Sequence, residues 1–124
     1  MTFVFTNPNP LDKKTSDCVI RTLSIAFSKS WDEVFDELCV IGKRLKCIPT
    51  SKEVYEEYLS SYPTMDVFYL IRKFKKKRLK VKEVINPKMC ICRVAHHLVA
   101  CKGGDYFDTF DSGEKCLYKI WRVE

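Results

Sequence analysis

Seven cysteines and two histidines are the side chains of this 124-residue chain best suited to covalent catalysis. A thiol becomes a nucleophile when its pKa is lowered. The first turn of a helix lowers it, because unpaired backbone N–H groups and the helix dipole stabilise a thiolate. Cys18 meets that condition: it follows Thr15, Ser16 and Asp17, any of which can cap a helix, and precedes Val19, Ile20, Leu23, Ala26 and Phe27 at helical spacing. On that spacing Arg21 and Ser24 lie off the apolar stripe. Cys39 and Cys47 fall within or just after a second helix, and Cys90, Cys92, Cys101 and Cys116 alternate with apolar residues along strands, as core thiols do.

A thiol also needs a base, and only His96 and His97 can serve. In a strand running from His96 to Cys101 the two imidazoles point to opposite faces, so one of them at most meets Cys18. The base in turn needs an acceptor to orient it. Asp108, across a Gly103-Gly104 hairpin, is placed for this, with Asp111 as a nearby substitute. Taken singly, each residue has an ordinary reading: Cys18 as a small buried hydrophobe, His97 as a strand-start histidine, and Asp108 and Asp111 as turn residues.

The elements that must position these groups follow from the same pattern. Asn7-Pro8-Asn9-Pro10 is turn or extended, since proline restricts itself and the residue before it. Ser30 with Glu33 opens a second helix carrying Trp31, Val34, Phe35, Leu38, Ile41 and Leu45. Thr50 with Glu53 opens a third, which ends by Pro63. Val67, Leu70, Ile71 and Phe74 fit a fourth between Asp66 and Arg78. From Lys88 onward the runs MCICRV, HHLVACK, DYFDTF and CLYKIWRV predict an antiparallel meander. Helices over about 15–78 and a sheet over about 80–123 make one α+β domain spanning residues 1–124.

Composition limits the rest. With 46% hydrophobic residues the chain supports one core and is too short for two domains. No apolar run approaches a membrane span and no signal-like stretch opens the sequence, so a cytoplasmic protein with reduced thiols is expected. The net charge of +6 is concentrated in Arg72, Lys73, Lys75, Lys76, Lys77, Arg78, Lys80 and Lys82, leaving 14 of the 22 basic residues to face 16 acidic ones. Such a run contacts phosphates or an acidic protein, or forms the solvated face of a helix leading into an edge strand. The one-residue gap in Cys90-x-Cys92 is shorter than zinc sites use, so no metal is assigned to Cys90, Cys92, His96, His97 and Cys101.

Asp17-Cys18-Val19-Ile20-Arg21 at a helix start, His97-Leu98-Val99-Ala100 on a strand, and Tyr106-Phe107-Asp108-Thr109-Phe110-Asp111 resemble small phage-encoded and bacterial proteins of the papain-like cysteine peptidase fold. The resemblance covers roughly the first and last thirty residues, about half the chain. It implies Cys18 as nucleophile, His97 as general base and then acid, and Asp108 as the group that orients it. The implied activity is a cofactor-free peptidase or amidase with an acyl-enzyme intermediate and a peptide or protein substrate. His97 is preferred to His96 because it directly precedes the Leu-Val-Ala run. The chain departs from the family where a glutamine usually precedes the cysteine, leaving Asn9, Lys14, a hydroxyl or the Cys18 N–H to bind the oxyanion. Two other readings follow: an inactive interaction protein of phage or mobile-element origin that binds a host protein in the host cytoplasm, and a nucleic-acid binder using Lys73, Lys75, Lys76, Lys77 and Arg78.

Overall fold

The computed structural model describes residues 2–124; Met1, the first residue of the expected domain, lies outside them. The element order is β1 (Thr2–Phe5), α1 (Cys18–Phe27), α2 (Trp31–Leu45), α3 (Lys52–Tyr58), β2 (Thr64–Met65), α4 (Val67–Lys73), a 3-10 turn (Val81–Glu83), β3 (Cys90–Val94), β4 (His97–Lys102), β5 (Asp105–Asp108) and β6 (Lys119–Arg122). This is the expected α+β class. Among the described residues no helix is long and apolar enough to cross a membrane.

The sheet runs β1-β5-β4-β3-β6-β2 and is mixed, a correction to the antiparallel meander. β3, β4 and β5 do form one, turning at Gly103 and Gly104, whose φ values of 61° and 90° suit a two-residue hairpin. The free edge of β5 is taken by β1, which pairs with it in parallel. The last strand therefore crosses back to β3, Ile91 opposite Trp121. So short an opening run as TFVF carries no turn signal on its N-terminal side, and its pairing is set by the free edge of β5.

Period-two alternation divides the sheet between two cores. Ile91, Leu98 and Trp121 face Val19, Ile20 and Leu23 of α1, Val34 and Leu38 of α2, and Val54 and Leu59 of α3 and its end. Cys90, Cys92, Val99, Cys101 and Ile120 face the other way, under Val67 of α4 and Leu79, Val81 and Val84. The helices thus cover both faces.

Helix starts agree with sequence reasoning where a side chain can reach the backbone. Ser30 accepts the Glu33 N–H at 3.1 Å, and Asp66 accepts that of Tyr69 at 3.1 Å. The Thr50 cap is corrected: Ser51 precedes α3, and its hydroxyl is the one buried side-chain polar atom without a partner among the described residues. α4 is also shorter than expected. It ends at Lys73, and Lys75 turns left-handed with φ 53°. Successive like charges on adjacent turns repel one another, which disfavours extending the helix through Lys75–Arg78. Arg72 and Lys73 close α4, but from Lys75 to Arg78 the basic run is loop rather than a helix face, and it leads to an isolated bridge between Lys80 and Cys116, not to an edge strand. Cys116 accordingly lies outside the strands.

Candidate active site

The β4–β5 pairing extends only from Lys102–Asp105 to Ala100–Phe107. Beyond it, His97 at the start of β4 and Asp108 at the end of β5 sit where the strands are no longer paired. The N-terminus of α1 reaches this end of the sheet, fixed by the Thr22 hydroxyl donating to the Leu98 carbonyl at 3.0 Å. Cys18, His97 and Asp108, far apart in sequence, meet there.

His97 Nε2 lies 2.5 Å from Asp108 Oδ2. That leaves Nδ1 as the ring nitrogen available to Cys18. Burial opposes ionisation of the Cys18 thiol, but the neighbouring His97 imidazole, the Leu98 backbone N–H and the charge of Arg21 outweigh it and hold the pKa below the ordinary 9.0. His97 moves the opposite way. Burial favours its neutral form, yet the hydrogen-bonded Asp108 and the neighbouring Cys18 raise it to about 9. A lowered thiol beside a raised imidazole shifts the pair toward thiolate and imidazolium. Cys18 is also the first residue of α1, so its N–H has no intrahelical acceptor.

Asp108 is buried, and its carboxylate is fully engaged. Oδ1 accepts the Thr109 N–H at 2.8 Å and Arg21 Nη2 at 3.4 Å; Oδ2 accepts the Ser112 hydroxyl at 2.8 Å as well as His97. Burial alone would raise its pKa, but His97, Ser112 and Thr109 together lower it. Behind it, Arg21 Nη1 bonds Asp17 Oδ1 and the Thr15 carbonyl, the latter at 3.2 Å. Asp17 Oδ2 accepts Trp31 Nε1 at 2.9 Å and the Asn9 amide at 3.2 Å. A buried polar chain thus runs from Asn9 and Trp31 through Asp17, Arg21 and Asp108 to His97. Arg21 and Ser24 lie off the apolar stripe as expected, yet each is only 5% exposed. Asp17 precedes α1 without a side-chain cap bond, because its carboxylate is committed to Arg21. The one sequence signal for this network is the i,i+4 spacing of Asp17 and Arg21 across a helix start. Ser112 carried none.

The alternates fall away for specific reasons. His96 is not in the strand: it occupies the turn between β3 and β4 with φ 53°, exposed, while His97 is bonded to Asp108. Asp111 accepts the Tyr106 hydroxyl at 2.6 Å and the Gly113 N–H at 3.0 Å, which commits it to the turn. A Cβ on Gly113 would lie 2.4 Å from that hydroxyl, so glycine permits the close approach. Asn9 is corrected as an oxyanion donor. Its amide donates to Asp17 and its carbonyl oxygen accepts the Leu11 N–H at 2.9 Å, so it lies behind the site. Lys14 does border the site, with its ammonium 5.6 Å from the Phe5 ring centre.

Two clefts meet at the thiol. One, of about 500 Å³, is bordered by Val19, Thr50, Lys52, Tyr55, Arg93 and Tyr118; the other, of about 450 Å³, by Lys14, Thr15, Arg21, Thr109 and Phe110. Both include Ser16, Cys18, His96 and His97. The Phe110 ring lies 5.0 Å from the His97 ring and shields it.

The remaining candidate groups are elsewhere. Cys90, Cys92 and Cys101 cluster in the opposite core, with Cys92 and Cys101 sulfurs 3.7 Å apart and the Cys90 thiol donating to the Cys101 carbonyl at 3.6 Å. His96 and His97 do not join them, and among the described residues no group of three or more His, Cys, Asp or Glu is placed to hold a metal. In the basic run Lys76 pairs with Glu83, and Lys80 and Lys82 pair with Glu114, whereas Lys73, Lys75, Lys77 and Arg78 make no ion pair among the described residues. No protein family, curated protein or solved structure matches this chain.

Proposed function

We propose that this chain is a papain-like thiol hydrolase, a peptidase or amidase, with Cys18, His97 and Asp108 as its catalytic triad. The observation that carries this reading is the meeting of the three groups at one end of the sheet, with His97 Nε2 2.5 Å from Asp108 Oδ2 and with Cys18 and His97 bordering the same two clefts. The Cys18 thiolate attacks a carbonyl carbon, and the oxyanion is met by the Cys18 N–H with the Lys14 ammonium alongside. His97 gives its proton to the departing amine as the C–N bond breaks, leaving a thioester. Water then attacks that thioester while His97 takes up a proton, and release of the acid restores the thiolate. Asp108 holds the imidazole and balances its charge throughout.

The test is alkylation by iodoacetamide at pH 7 with peptide mass mapping. Cys18 is expected to react ahead of the other six cysteines, and His97→Ala to abolish that lead. Equal reaction of all accessible thiols would remove the catalytic reading. One observation favours a second reading, an interaction protein on the same scaffold: Asn9, the only carboxamide among the oxyanion candidates, is committed to Asp17. On that reading Cys18→Ala retains full biological activity, and on the hydrolase reading it loses it.

A further inference from the structure

The surface path through the thiol is longer than the two clefts that meet there. Tyr118 borders the Lys52 side of the site and also a third cleft of about 370 Å³, formed by Val67, Phe68 and Ile71 of α4 with Arg78 and Leu117. Among the described residues no carboxylate lines any of the three, although the chain has 16 acidic residues. Each contributes a cation instead: Lys52 and Arg93 in the 500 Å³ cleft, Lys14 in the 450 Å³ cleft and Arg78 in the third. Arg93 shares a single carboxylate, Glu56, with Lys119, at 2.8 and 2.7 Å, so a positive excess remains. Large apolar side chains stand free along the same path, with Phe68 72% and Tyr118 58% exposed.

We infer that the substrate is an extended acidic polypeptide segment with interspersed apolar residues, lying across Cys18 and continuing past Tyr118 into the α4 groove. This rests on the hydrolase reading and names the substrate class it acts on. Carboxylates of the segment meet Lys14, Lys52, Arg93 and Arg78, and an apolar side chain enters beside Phe68. A polypeptide fits better than a nucleic acid on two counts. The path converges on a thiol, which attacks carbonyl carbon, and a phosphodiester offers none. Three lysines of the adjacent run are paired with Glu83 and Glu114, whose carboxylates would oppose a phosphate backbone.

The experiment measures binding without turnover. Cys18→Ala protein is titrated, by fluorescence anisotropy at low salt, into three fluorescein-labelled probes: a peptide alternating Glu with Leu and Phe, the same peptide with Lys for Glu, and oligothymidylate of equal length. The acidic peptide is expected to bind most tightly, with Lys52→Glu and Arg78→Glu each weakening it about tenfold. Phe68→Ala should weaken it several-fold. Lys43→Glu, exposed on α2 and bordering none of these clefts, makes the same change in net charge and should leave binding intact. Preferred binding of the basic peptide, equal or tighter binding of oligothymidylate, or indifference to both Lys52→Glu and Arg78→Glu would overturn the inference. Because Cys18 is absent from the assay, these outcomes are separate from the alkylation test of the hydrolase reading.

Discussion

Cys18 and the trio Cys90, Cys92 and Cys101 are the same functional group in two surroundings. Cys18 is half-buried at a helix start, beside an imidazole held by Asp108, and its pKa is lowered. Cys92 and Cys101 are enclosed in the opposite core, where hydrogen bonds among the sulfurs and burial hold them well above the ordinary value, while the same bonds lower Cys90, which is sealed from solvent with them. No cation bonds to any thiol of that trio. The contrast shows that a thiol is activated by the charge and donors placed around it, whereas burial alone makes it a small hydrophobe.

The largest effect expected is on turnover. His97→Ala should lower hydrolysis of an acidic peptide substrate by about 10²–10⁴-fold. It should also slow iodoacetamide alkylation of Cys18 at pH 7, since an ordinary thiol is only about 3% ionised there. Unchanged alkylation would show that Cys18 resembles the trio after all. The pH profile sharpens the point. Acylation requires protonated His97, so its rate should fall as pH rises through about 9 and rise at a pH below the ordinary 9.0 of a thiol, set by Cys18. Asp108→Asn should bring the His97 titration, followed by NMR, down from about 9 toward 6.5.

Next comes the stability of the polar chain that supports the triad. Arg21→Met strands the buried carboxylates Asp17 and Asp108, and urea unfolding should register a loss of about 3–5 kcal/mol. Adding Asp17→Asn removes one of those charges and should recover part of the loss, a coupling that simple loss of packing would not produce. Full additivity of the two changes would sever Arg21 from the network. The trio should respond differently. Cys92→Ala leaves a small cavity costing about 1–2 kcal/mol in urea, with Cys18 alkylation unchanged. A change in Cys18 reactivity would mean that the two cores communicate. Smallest is Gly103→Ala. At φ 61° and with open space around its Cβ, strain alone acts, and about 1 kcal/mol of stability should go.

The chain's local signals determined a good deal. Hydrophobic spacing located α1, α2, α3 and the four later strands within a few residues, because a helical stripe and a period-two run are properties of adjacent residues. The Gly103-Gly104 hairpin was equally legible, and with it the approach of His97 to Asp108 across the hairpin. Cys18 was recognisable from its place at a helix start. The parallel pairing of β1 with β5 and the crossover of β6 were not, since strand order depends on which edge remains free once the chain has collapsed. The same holds for Arg21, Ser112 and Asn9. Their roles depend on which buried carboxylate lacks a partner, a quantity that exists only once Asp17 and Asp108 have been brought together from opposite ends of the chain. The sequence by itself determined which side chains could react. Tertiary structure decided which nitrogen of His97 Asp108 holds, which thiol stands beside an imidazole and which is sealed, because the solvent and the donors around a group are supplied by residues distant in sequence.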